Sequence, residues 1–214
     1  MITLYRFPYS CYALKVQFLL DHLGLPYKVR DVPFGDRDEL IEVTGGRVMV
    51  PAILHEGNVV VESRDIFQYL LTLSKNDLVP AGMEAAVWAY LDWTDSLLED
   101  VLFRIASPGI AEQFTKPTEK ALFIFIKERK FGMGCVSEWQ RTRKELIDRA
   151  KVLLAPTLET LSQSDYVMGN RLTIADVSLA GHLAMVEYAD PTLLPAISPD
   201  LQLLLSRLRN SAKG

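Results

Sequence analysis

This 214-residue chain has little of what several common kinds of site require. It has two cysteines, Cys11 and Cys135, too few for a disulfide scaffold. Its histidines, His22, His55 and His182, lie far apart, and with no cysteine pair they leave no metal-ligand spacing, so no metal is expected. Basic residues number 23 against 27 acidic ones, giving a net charge of −4. Domains that neutralise phosphates are usually basic, so nucleic acid is not an expected partner. No uncharged apolar stretch reaches the roughly 18 residues of a spanning helix, and no membrane association is expected. The glycine-rich nucleotide signatures and the GxSxG hydrolase elbow are missing. Met1 to Arg6 lack the basic start and apolar run of a secretory signal, so a reducing cytoplasm is the expected compartment.

What is present is an ordinary globular composition, 49% apolar and 23% charged, which excludes a disordered chain. The length fits one large domain or two small ones. Ile2 to Phe7 alternates like a strand, and Pro8-Tyr9-Ser10 breaks it. From Cys11 the period changes. Val16, Leu19, Leu20 and Leu23 share one helical face, and Gly24 with Pro26 stops it. Tyr27 to Val32 reads as a strand and Asp38 to Val43 as a short helix. Val50 to Leu54 and Val59 to Glu62 flank Glu56-Gly57-Asn58 as a hairpin. Ser63 takes the N-cap position of a helix carrying Ile66, Tyr69, Leu70 and Leu73.

After Pro80-Ala81-Gly82 the strand signals vanish. Helical patterns run over Glu84 to Ile105, Pro117 to Lys130, Ser137 to Leu161 with a bend at Pro156, Thr173 to Glu187, and Asp200 to Leu208. Thr173 and Asp176 form a capping box with a folding role. The expected organisation is an α/β domain over 1–78, ordered β-α-β-α-β-β-α, and an all-helical domain over 84–214.

That order, together with four local sequences, resembles the glutathione transferase family. The turn Phe7-Pro8-Tyr9-Ser10-Cys11-Tyr12-Ala13 is similar to the strand-to-helix turn of serine-type and cysteine-type members. Val50-Pro51-Ala52-Ile53 resembles the Val-Pro strand in which the proline is cis. Glu62-Ser63 resembles the Glu/Gln-Ser pair that opens a helix. Asn170 to Asp176 resembles the helix start of the C-terminal domain. The resemblance spans essentially the whole chain and implies a thioredoxin-like N-terminal fold. It also implies glutathione as co-substrate, a homodimer, and detoxification of small hydrophobic electrophiles.

The chemistry of these residues fits that expectation. A helix N-terminus stabilises anions, and a thiolate is one. A hydroxyl hydrogen bond to a charged acceptor contributes about 1.5–3 kcal/mol, enough to lower a thiol pKa near 8.5 by roughly one to two units. Ser10 best matches the activating serine, with Tyr9 and Cys11 as alternatives. Cys11 at a helix N-terminus is a candidate redox nucleophile. The turn also resembles the glutaredoxin Cys-Pro-Tyr-Cys motif. With one cysteine it allows monothiol exchange and excludes a dithiol cycle within the turn.

The resemblance assigns Val50 and Pro51 to the cysteinyl part of glutathione, and Glu62 and Ser63 to its γ-glutamyl ammonium and carboxylate. Many family members carry Lys or Gln where this chain has Met49, so Arg47 or Arg37 is expected to take the glycyl carboxylate. Candidates for the second-substrate pocket are Tyr12, Trp88, Tyr90, Trp93 and Phe103. Lys127 to Lys130 reads as a solvated helix end and Cys135 as structural, while Phe131 to Cys135 borders the pocket or a subunit contact. Two rival functions stay open: thiol transfer or disulfide reduction through Cys11, and a non-catalytic interaction protein.

Overall fold

The computed structural model describes residues 1–211. Strand β1 (Ile2–Arg6) leads to helix α1 (Cys11–His22), then β2 (Tyr27–Asp31), α2 (Asp38–Thr44), β3 (Ala52–His55), β4 (Asn58–Val61) and α3 (Ser63–Thr72). The sheet order is β2-β1-β3-β4. β1 pairs parallel with β2 and antiparallel with β3, and β4 closes the hairpin. Central placement explains why Ile2 to Tyr5 are all buried while β2, at the edge, is mostly exposed. The element order is the expected β-α-β-α-β-β-α, and the mixed sheet is the thioredoxin-like α/β domain that the resemblance implies. Ser63 opens α3 from its first turn, one position inside the expected cap; Glu62 holds the cap position with no side-chain capping bond.

The second domain is helical. It runs α4 (Glu84–Trp93), a π-turn (Thr94–Leu98), α5 (Glu99–Glu112), α6 (Pro117–Phe131), α7 (Cys135–Arg141), α8 (Arg143–Leu161), α9 (Ile174–Ala189), α10 (Leu193–Ile197) and α11 (Pro199–Ser211). Two sequence expectations change. The single helix over Glu84–Ile105 is interrupted by the π-turn and continues to Glu112. The Ser137–Leu161 helix breaks at Thr142, whose φ −95 and ψ 18 end α7 and open α8, while Pro156 sits inside α8.

α9 is buried on nearly every side, which makes it the core of the helical domain. Thr173 and Asp176 cap it as expected: Asp176 accepts from the Thr173 and Val167 amides at 2.9 and 2.8 Å. α9 also carries the junction between the domains. A Cβ on Gly181 would lie 2.5 Å from the Lys15 nitrogen and 2.6 Å from the Cys11 carbonyl oxygen. Only glycine lets the first turn of α1 approach this closely. That approach fixes where the N-terminus of α1 faces the helical domain.

Candidate functional site between the domains

Ser10 is the N-cap of α1. Its backbone is extended, and its hydroxyl accepts from the Ala13 amide at 3.4 Å. The Ser10 O–H therefore remains available as a donor, so capping and ligand contact are compatible in one side chain. A cleft of about 280 Å³ opens beside it. Its N-terminal wall holds Tyr9, Ser10, Tyr12, Arg37, Met49 and Val50; Phe103, Ile110, Ile126, Phe131 and Met185 form an apolar wall opposite. Beyond Tyr12, Met49 and Val50, which line both spaces, lies a second cavity of about 270 Å³ with Arg47, Pro51, Glu62 and Ser63.

The residues of this second cavity come from separate elements. Val50 stands just before β3, and the Val50-Pro51 bond is cis, as the resemblance implies. Glu62 joins β4 to α3 at φ 66 and ψ 123, a conformation that non-glycine residues rarely adopt. Such strain costs on the order of 1–3 kcal/mol and concentrates at functional sites. Arg47 Nη1 lies 3.6 Å from Glu62 Oε1, on the same side of the site as Ser63. Arg37 lies on the other side, beside Met49, over the rings of Phe7 and Phe34 and bonded to the Val48 carbonyl at 2.7 Å.

The other sulfur candidates, Tyr9 and Cys11, line the same cleft but are more deeply held. Cys11 is buried as the first residue of α1, and that burial pushes its thiol pKa well above the ordinary value. Tyr9 is held among Phe7, Phe34, Phe114, Phe123 and Tyr188. Its hydroxyl is buried without a hydrogen-bond partner among the described residues, and burial pushes its pKa up, so it stays protonated.

Three of the aromatic pocket candidates pack elsewhere. Tyr90 bonds Thr157 at 2.9 Å and packs on Trp93, while Trp88 lies under Arg64. Tyr12 and Phe103 do line the cleft.

Lys127 and Lys130 also line the cleft, against the reading of a wholly solvated helix end. So does Glu99, which sequence reasoning passed over. Burial raises the Glu99 carboxyl to about 7 and lowers the Lys127 ammonium to about 8. The spacing of Phe123, Lys127 and Phe131 at i, i+4, i+8 was the available signal, since it puts Lys127 on an aromatic face. Cys135 packs with Val136 and Trp139. Among the described residues no group of histidine, cysteine and acidic side chains is arranged to hold a metal, and no helix is long and apolar enough to cross a membrane.

Two family models match the chain. Residues 4–77 match the glutathione S-transferase N-terminal domain and residues 114–212 the C-terminal domain. The chain belongs to the glutathione S-transferase family. Protein LigF of Sphingobium sp. is 28% identical over 201 residues, covering 82% of this chain and 75% of LigF. A glutathione S-transferase of Ceriporiopsis subvermispora, solved in complex with glutathione, superposes with a TM-score of 0.83 at 17% identity, covering 98% of this chain and 97% of its own. Glutathione transferase GSTFuA3 of Phanerochaete chrysosporium gives 0.82, also at 17% identity, covering 98% and 96%. These two likenesses establish the fold.

Proposed function

We propose that the protein is a glutathione transferase that ionises the glutathione thiol at Ser10 and directs it at an electrophile with an apolar body. The observation that carries this reading is the adjacency of the two cavities, which share Tyr12, Met49 and Val50 as lining. A tripeptide with a charged γ-glutamyl end and a central thiol needs that layout. Glu62 takes the ammonium, while Ser63 at the start of α3 takes the α-carboxylate with the helix N-terminus behind it. Val50 and Pro51 align the cysteinyl segment. Arg37, beyond Met49, is better placed than Arg47 for the glycyl carboxylate, because Arg47 sits with Glu62.

At the sulfur, Ser10 donates a hydrogen bond from its hydroxyl to the thiolate while its oxygen accepts one from the Ala13 amide. The α1 N-terminus adds its partial positive charge. The thiol proton passes to solvent, and the thiolate forms a carbon–sulfur bond at the electrophilic carbon of a substrate lying against Phe103, Ile110, Phe131 and Met185, while that carbon's leaving group departs with the electron pair of the bond that breaks. Residues 1–78 supply the glutathione site, and 84–214 supply the opposite wall. A homodimer in the cytoplasm, serving detoxification, completes the reading on the strength of the family.

The burial and raised pKa of Cys11 weigh against thiol transfer through it. Calorimetric titration with glutathione, followed by conjugation of chlorodinitrobenzene, tests the proposal. Binding with turnover is expected. No binding at millimolar glutathione would leave only the non-catalytic reading.

A further inference from the structure

Three cations line the cleft, Arg37, Lys127 and Lys130, and none makes an ion pair among the described residues; Lys127 is the one held between two aromatic rings. Its ammonium lies 4.5 Å from the ring centroids of both Phe103 and Phe123. Among the described residues no carboxylate comes within 4.0 Å of it. Its helical neighbours cannot supply one, since positions three and four residues away are Phe123, Ile124, Lys130 and Phe131. The lysines away from the cleft on this segment are paired: Lys120 of α6 with Glu112 at 2.7 Å, and Lys116, just before the helix, with Glu119 at 3.6 Å. Arg104, nearby, is taken up by Asp100 at 2.7 Å. Lys130 is exposed at the rim. Glu99 shares the cavity without an ion pair of its own.

From this geometry we infer that Lys127 is an anion subsite of the second-substrate pocket, and that the electrophile is amphipathic, with a carboxylate-like group on Lys127 and an apolar body along Phe103, Ile110, Phe131 and Met185. The inference rests on the transferase reading for the word electrophile; the subsite itself does not. A cation fixed between aromatic faces and shielded from water attracts an anion more strongly than an exposed lysine does. Burial disfavours the charged forms of both Lys127 and Glu99, and an anion entering beside Lys127 would favour its charged form.

The test uses a matched fluorescent pair on the full-length protein without glutathione: anilinonaphthalene sulfonate and its neutral parent, phenylnaphthylamine. The wild type is expected to bind the sulfonate about tenfold more tightly than the neutral probe, the scale of one charge-assisted contact. Lys127→Met should remove that preference and leave the neutral probe within about twofold. Lys127→Arg should restore it, which guards against a folding defect in the methionine variant. Glu99→Gln should tighten the sulfonate further by removing a competing charge. Equal loss of both probes in Lys127→Met, or no preference in the wild type, would overturn the subsite. So would unchanged probe binding with lost glutathione affinity, which would assign Lys127 to the tripeptide. A wild type that keeps the Lys127-dependent preference but binds no glutathione would sink the transferase reading and leave the subsite standing.

Discussion

The wholly buried Lys15 ammonium, on α1 of the first domain, lies 2.5 Å from the Asp95 carboxylate in the π-turn of the second. Asp95 also offers its carbonyl to the Tyr12 hydroxyl at 3.1 Å, and His182 of α9 stands 3.7 Å from its other carboxylate oxygen. Burial lowers the His182 pKa to about 4, so that ring is neutral at pH 7 and the pair is Lys15 with Asp95. Removing one partner of a buried pair leaves the other charge unpaired and costs about 3–5 kcal/mol. Asp95→Asn should therefore destabilise strongly in chemical denaturation. Lys15→Met combined with Asp95→Asn should recover part of the loss. Strictly additive losses would contradict a direct pair.

Glu62 makes the second prediction. Its positive φ is strained for any residue with a Cβ. Glu62→Gly should raise the melting temperature, because about 1 kcal/mol of backbone strain is relieved. The same change should abolish measurable glutathione binding, because the ammonium loses its carboxylate partner. A variant that is more stable yet still binds glutathione normally would separate the strain from the site.

Glu99 gives a pH signature. Burial is the largest cause of its rise from 4.5 to about 7, Lys130 and Lys127 pull it down, and Asp100 and Asp95 push it up. Because the folded pKa is raised, the native state holds this proton more tightly than the unfolded chain. Its stabilising contribution is present below about pH 4.5 and is lost as pH climbs through about 7. Glu99→Gln should therefore gain melting temperature relative to wild type at pH 8 and much less at pH 5. A constant difference across that range would show that Glu99 titrates normally.

Much of this arrangement is legible in the sequence because its signals are local. Gly24 stops α1, the Val-Pro strand and Glu62-Ser63 mark the second cavity, and Thr173 with Asp176 caps α9. The parts that are not legible depend on contacts between distant segments. Lys15 gives no local signal of its burial, because the helix that covers it, α9, meets α1 at Gly181 from far along the chain. Lys127 reads as solvated because the rings that hold it come from α5 as well as α6. Trp88, Tyr90 and Trp93 look like pocket aromatics because their partners, Arg64 and Thr157, lie far away in the sequence. Cys11 looks reactive from its helix position alone, since burial is not written in the turn.

The role of Ser10 is tested most directly by the pKa of the bound glutathione thiol, titrated through the ultraviolet absorbance of the thiolate. The account predicts a wild-type value well below the roughly 8.5 of a free thiol. Ser10→Ala should raise it by roughly one to two units, while Cys11→Ala and Tyr9→Phe leave it nearly unchanged. A thiol pKa indifferent to Ser10→Ala, or one that moves instead with Cys11 or Tyr9, would contradict the assignment of Ser10 as the residue that activates the sulfur.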